Sequence, residues 1–165
     1  MTQYEIIDNF LPKKVFNKIY YQFRENDPKV HHPYWMYTPD FSREQIYFAF
    51  TIYAGSIVYP HFFDLFASTL EKLKVKALIR IKANCYPKTH EIYEHGMHTD
   101  FKWTHKTALF SINTCDGYTK LEDGTKIDSI ANRMLLFDGS EDHTSSTSTC
   151  RTTITKISEI NSCAF

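Results

Sequence analysis

Between positions 12 and 25 the apolar residues Val15, Phe16, Ile19, Tyr20 and Phe23 recur every three to four places, and Pro12 suits a first helical turn, so the spacing predicts an amphipathic helix over 12–25. A second helix is expected over 60–74, where Phe62, Leu65, Phe66, Thr69, Leu70 and Leu73 fall on one face. In the stretch 26–40, Pro28, Pro33 and Pro39 interrupt any period, and it reads as a loop carrying Trp35 and several tyrosines. After Val75 the pattern changes to short segments that alternate or are apolar throughout, which predicts strands at 77–86, 107–113, 126–130, 134–137 and 151–157. Turn-forming clusters such as Glu122-Asp123-Gly124 and Asp138-Gly139-Ser140 separate them. Two helices followed by a run of strands point to a mainly β protein with N-terminal helices packed on one side of a sandwich or barrel. The expectation is one domain over 1–165, with helical support in 1–75 and a metal-bearing β core in 76–160.

Composition narrows the function classes. Nineteen Lys and Arg balance nineteen Asp and Glu in the 165 residues, so no net field favours a polyanion, and there is no strong nucleic-acid signal, since any such role would need a local patch. The five glycines form no phosphate-cradling loop, and no apolar run approaches the roughly 20 residues needed to cross a bilayer. Cys85, Cys115, Cys150 and Cys163 form no CxxC pair, and the first residues lack a basic-then-apolar leader, so reduced thiols in a cytoplasmic protein are expected. The run Lys72, Lys74, Lys76, Arg80 and Lys82 reads as a solvated helix-to-strand face. His90-Glu91 with His95 misses the HExxH spacing by one position. His31, His32, His61 and His105 read as surface or packing residues.

Candidate chemistry centres on His98-Thr99-Asp100, two ligand-type side chains two positions apart, so that in a strand both face one way. Alone, that pattern also fits a surface histidine near an aspartate. His143 follows Asp100 by 43 positions, just beyond the apolar segment 134–137. Two histidines and one carboxylate leave half of an octahedral shell open, the arrangement used by non-haem Fe(II) oxygenases, whereas a structural zinc site needs four ligands and usually thiolates. Arg151 opens a segment in which it shares one face with Thr153 and Thr155. A guanidinium beside hydroxyls can grip a carboxylate bidentately, each charged hydrogen bond contributing about 1.5–3 kcal/mol. Phe101 and Trp103 follow the metal pair, and Trp35 and Tyr37 lie in the proline-interrupted loop. These aromatics either line a groove for an extended peptide or simply pack.

The order His98-x-Asp100, His143, Arg151 resembles that of the 2-oxoglutarate- and Fe(II)-dependent oxygenases, within them the prolyl 4-hydroxylase-like branch. The resemblance extends over about 79–157 and includes Asn84-Cys85-Tyr86-Pro87, the segment 107–113, and Arg133-Met134-Leu135-Leu136-Phe137. The opening Ile6-Ile7-Asp8-Asn9-Phe10-Leu11-Pro12 is similar to that branch too. The resemblance implies a double-stranded β-helix, or jelly roll. It implies that His98, Asp100 and His143 hold Fe(II), that Arg151 holds the distal carboxylate of 2-oxoglutarate, and that Tyr86 and Leu109 line the cosubstrate pocket. Ser111 stands where some prolyl hydroxylases carry a second tyrosine, so Tyr86, Thr153, Thr155 or water would supply that hydroxyl. The activity implied is hydroxylation of a C–H bond with dioxygen (O2), peptidyl proline being the favoured substrate. The alternatives are a small metabolite, free amino acid or nucleobase, or a non-catalytic jelly-roll binding module.

Overall fold

The computed structural model describes residues 3–24, 31–40, 45–150 and 152–161, and for positions 40, 45, 46 and 153–161 the backbone alone. In chain order the elements are β1 (Tyr4–Ile7), α1 (Lys13–Arg24), β2 (Met36–Asp40), β3 (Gln45–Ala54), α2 (Pro60–Leu65), α3 (Ala67–Lys72), β4 (Ala77–Tyr86), β5 (Lys106–Ser111), β6 (Tyr118–Leu121), β7 (Lys126–Asp128), β8 (Met134–Asp138), β9 (His143–Ser145) and β10 (Thr153–Asn161). Seven strands form one antiparallel sheet in the order β1-β8-β5-β10-β4-β3-β2, and three form a second in the order β7-β6-β9.

The mainly β expectation holds, with helices preceding most of the strands. The helix expected over 12–25 is α1, and the Pro12 carbonyl accepts the first hydrogen bonds, from the amides of Val15 and Phe16 at 2.9 and 3.0 Å. The helix expected over 60–74 is two short ones. The chain leaves α geometry at Phe66 (φ −99°, ψ 2°), whose ring is fully buried against Phe23. The expected loop of 26–40 contains β2, because β2 is an edge strand and Pro39 needs no second hydrogen-bonding neighbour there. The first 75 residues, expected as helical support, supply three strands as well as helices.

Period-two alternation divides the large sheet into two accounts. On β4, Ile81, Ala83 and Cys85 turn toward the helices, while Arg80, Lys82, Asn84 and Tyr86 turn toward the small sheet. Phe10, Ile19, Phe23, Phe50, Phe66 and Phe110 fill the helix side, with Phe50 edge-on to Phe62 at 4.7 Å. A smaller cluster joins Leu109, Leu135 and Phe137 of the large sheet to Leu121 and Ile127 of the small one. A bulge sets where the alternation begins: Arg80 stands opposite Glu159 and Leu78 opposite Ile160, so Ile79 is an extra residue on β4. Leu78 thereby returns to the helix-side core while Arg80 faces the other way.

One buried side chain ties the helix entrance to the sheet. Asn132, at φ 64°, accepts from the Leu11 amide at 2.9 Å, donates to the Leu11 carbonyl at 2.8 Å, and through its own carbonyl accepts from the Phe10 amide at 2.9 Å. Asn132→Ala leaves both backbone groups of Leu11 unpaired and puts a less tolerant residue in the left-handed region. The expected loss is about 3 kcal/mol of unfolding free energy in a urea titration, with the slope unchanged. A loss below about 1 kcal/mol would show that water replaces the side chain.

Cys85, Cys115 and Cys150 are free thiols, and burial pushes the Cys85 thiol up to about 11, as suits a small apolar side chain. Cys163 lies outside the described residues. Among the described residues no helix is long and apolar enough to cross a membrane.

Candidate metal centre

The chain between β4 and β5 passes directly over the start of β9. There His98 and His143 exchange backbone hydrogen bonds, each amide donating to the other's carbonyl at 2.9 Å, an isolated antiparallel bridge between residues 45 positions apart. That pairing sets the two imidazoles side by side with ring centroids 4.7 Å apart. Two residues on, the Asp100 amide donates to the Gly139 carbonyl at 3.1 Å, which turns the carboxylate to the same point. The ligating atoms of His98, Asp100 and His143 all lie within 4.8 Å of one another, and among the described residues this is the group of three suited to a metal ion.

The surroundings orient each ligand. His98 Nδ1 is 3.3 Å from the Gly96 carbonyl and His143 Nδ1 is 3.0 Å from that of Glu141, which assigns the proton to Nδ1 and leaves both Nε2 lone pairs for a metal. Thr107 Oγ1 donates to Asp100 Oδ2 at 3.2 Å and the Arg80 guanidinium to Oδ1 at 3.4 Å. The Asp100 side chain is 6% exposed. Burial works against its charge, but contact with the His143 imidazole and the nearby cations of Lys82 and Arg80 hold its carboxyl well below the usual carboxylate range. The donor set, two imidazoles and a carboxylate, fits a divalent first-row metal with open positions.

Beside the ligands is a cavity of about 210 Å³ bounded by both sheets. Tyr86 and Leu109 line it. The Tyr86 ring stacks on His95 at 5.3 Å and meets Tyr47 at 5.5 Å, and its hydroxyl accepts from Asn84 Nδ2 at 3.3 Å. Burial pushes the Tyr86 phenol well above its ordinary pKa, so it is a neutral donor. Burial also lowers the His95 pKa, and its Nδ1 lies 3.1 Å from Ser145 Oγ. Position 153 stands opposite Tyr86, and position 155 stands between Asn84 and Ser111. The side chains of Thr153 and Thr155, and Arg151 altogether, lie outside the described residues. Just before β10 the Thr152 carbonyl accepts from Asn113 Nδ2 at 3.0 Å.

The aromatic residues part company. Phe101 and Trp103 stack at 5.2 Å beyond the metal ligands, and Trp103 is 46% exposed. Trp35, expected at the substrate mouth, instead packs on Phe23 and Phe50 at 6.2 and 6.3 Å in the helix-side core. Tyr37 also needs correcting. It stands opposite Phe48, itself opposite Cys85, which places it on the sheet face away from the metal ligands. Pattern reading of a proline-rich stretch gives no strand there and hence no parity. The basic run needs a correction too, since Arg80 and Lys82 line the cavity together with Asn84. The signal was present: 80, 82 and 84 share parity with Tyr86. His105 is a packing residue, as expected, buried with Nδ1 2.8 Å from the Trp103 carbonyl.

No family model matches this chain, and no curated protein matches it. Solved structures do. A prolyl-4-hydroxylase of Pseudomonas putida superposes with a TM-score of 0.69 at 13% identity, covering 99% of this chain and 94% of that one. A Trichoplax adhaerens prolyl hydroxylase, solved with a peptide fragment of the hypoxia inducible factor oxygen degradation domain, gives 0.67 at 16% identity, covering 98% and 84%. A non-haem α-ketoglutarate-dependent epimerase, SnoN from nogalamycin biosynthesis, gives 0.62 at 9% identity, covering 97% and 79%. The chain thus has the fold of the 2-oxoglutarate and Fe(II) oxygenases, prolyl hydroxylases among them.

Proposed function

We propose that this chain is an Fe(II)- and 2-oxoglutarate-dependent oxygenase that hydroxylates a C–H bond. The observation that carries the proposal is the convergence of His98, Asp100 and His143, with one face open to a cavity bounded by both sheets. Iron bound there would supply the oxidising chemistry, in which 2-oxoglutarate and dioxygen give succinate, CO2 and a hydroxylated product. The two histidines bind through Nε2 because their Nδ1 protons are spent on backbone carbonyls. Asp100 stays ionised among cations, and Thr107 fixes its plane. Tyr86, neutral and buried, donates its hydroxyl proton toward the cosubstrate. Leu109, backed by Leu135 and Phe137, gives the cavity an apolar wall. Arg151 with Thr153 or Thr155 grips the distal carboxylate at the start of β10. The two sheets are read as those of a double-stranded β-helix, the whole of 1–165 as one domain, and the free thiols suit the cytoplasm.

A peptidyl proline is the favoured substrate. Two supports exist: the prolyl hydroxylases among the solved structures, and the stacked Phe101 and Trp103 beside the metal ligands. The epimerase in the same fold is the reason to keep a small-molecule substrate as the second reading.

The test is succinate release from 2-oxoglutarate with Fe(II) in air, which a chelator should abolish. Arg151→Ala should weaken 2-oxoglutarate by about 10- to 150-fold, the equivalent of one charged hydrogen bond, while metal affinity holds. No metal-dependent succinate would overturn the activity, and unchanged 2-oxoglutarate affinity would move the anchor elsewhere.

A further inference from the structure

One buried amide on the cavity wall is only partly used. Asn84 is 2% exposed and lines the cavity from β4. Its Nδ2 donates to the Tyr86 hydroxyl at 3.3 Å, and its Oδ1 has no hydrogen-bond partner among the described residues. An asparagine amide carries a second N–H and an oxygen with more than one lone pair, so most of the capacity of this group is uncommitted. Turning the amide over would give Oδ1 to the Tyr86 proton and leave Nδ2 unpaired instead. Either way round, an N–H remains for a ligand. An amide end left unpaired is costly in a packed core, and it is what a binding cavity shows where the ligand completes the bonding.

Strand register identifies the part of the ligand that comes there. Arg80 and Thr107 stand in one row, on either side of position 159, and both donate to the metal-ligand candidate Asp100. Lys82 and Leu109 form the next row across position 157, and Asn84 and Ser111 the one after it across position 155. Successive rows are about 7 Å apart. Tyr86 follows, opposite position 153 at the start of β10. A diacid that meets the metal through its oxo-acid end in the first row therefore extends its far carboxylate toward the row of Asn84, on the way to the start of β10. Ser111 is buried, and among the described residues of that row Asn84 is the one that lines the cavity.

Resting on the oxygenase reading, we propose that Asn84 is a further cosubstrate-binding residue, its amide donating to the distal carboxylate of 2-oxoglutarate beside the Tyr86 hydroxyl. A neutral donor on β4 then completes a grip otherwise assigned to β10 alone. It also makes the site selective, since an oxo acid that ends in a methyl group gains nothing from it.

The experiment uses the full chain loaded with Mn(II), whose enhancement of water proton relaxation falls as a ligand displaces its waters, so that binding is read without turnover. The probes are 2-oxoglutarate and 2-oxopentanoate, which share an oxo-acid end and a chain length and differ in the distal carboxylate. Asn84→Ala should weaken 2-oxoglutarate by about 10- to 150-fold, the equivalent of one charged hydrogen bond, and leave 2-oxopentanoate and Mn(II) within about twofold of the parent. Asn84→Asp keeps the shape but replaces the donor by an anion. It should weaken 2-oxoglutarate at least as much, with a far smaller effect on 2-oxopentanoate, and it makes the same comparison should the alanine variant not fold. A 2-oxoglutarate affinity within about threefold of the parent in the variants would overturn the proposal. So would equal losses of the two oxo acids, because the amide would then shape the cavity without touching the distal carboxylate. Failure of the oxygenase reading looks different: the parent itself would show no response of bound Mn(II) to 2-oxoglutarate, and this proposal would fall with it.

Discussion

Asp100→Ala should lower the affinity for Mn(II) or Fe(II) by at least about 100-fold and abolish succinate release, while the chain still folds. The carboxylate is the sole anionic ligand of the three, and its loss leaves two imidazoles facing Arg80 and Lys82, a positively charged recess that repels a divalent ion. Folding survives because the helix-side core contains none of the three ligands. Titration of metal into parent and variant, with a denaturation curve for each, checks both halves. Affinities within threefold of one another would mean that the metal, if it binds, binds elsewhere. Thr107→Val gives a graded version: the hydroxyl that orients Asp100 Oδ2 is lost while the carboxylate stays, and about a tenfold weakening is expected.

Gly139→Ala should be more damaging than its single methyl group suggests. Gly139 does not have a left-handed backbone, so conformation is not the constraint. A Cβ there would collide with Thr107 Oγ1 and His105 Nε2. Both backbone groups of Gly139 are also committed, its amide to the His105 carbonyl at 3.0 Å and its carbonyl to the Asp100 amide at 3.1 Å. The methyl group cannot be accommodated without moving Thr107 or the turn, and either shift moves Asp100. About 3 kcal/mol of stability should go, and at least tenfold in metal affinity with it. Gly124→Ala is the contrast. Its φ is 87° and nothing lies near its Cβ position, so only the left-handed backbone is penalised, at about 1 kcal/mol with metal affinity intact. Equal effects from the two substitutions would refute the crowding argument.

The candidate metal ligands were legible because their chemistry is local: His98 and Asp100 are two residues apart, and His143 follows an apolar strand. β4 was legible with its full span because its apolar residues, β-branched Ile79 and Ile81 among them, run close together and Pro87 follows. Other elements were not. β6 and β9 are four and three residues long, too short for a period to show, and each is held by its neighbour in the small sheet. β3 has a bulge at Ile52 that breaks its alternation, since Thr51 pairs with Lys82 and Tyr53 with Ile81. Without β3 there was no reason to see β2, and without β2 the parity of Trp35 and Tyr37 could not be judged. The helix over 60–74 failed at Phe66 for another reason: a continuous apolar stripe reports which face is buried and is blind to a change of axis within it.

The interleaving on β4 has a consequence for how such a protein can change. Residues 80, 82, 84 and 86 line the cavity, and 81, 83 and 85 pack in the core, so selection can rewrite one set while the other is held constant. Substitution is therefore a permissive route to new specificity here. Deletion is not. Loss of one residue within β4 would exchange the two sets beyond that point, carrying charges into the aromatic core and aliphatic groups to the metal. The bulge at Ile79 is the natural counterpart of that event, an added residue placed just before the first ligand-facing position, where a shift of register sends Leu78 to the core and leaves the downstream lettering intact.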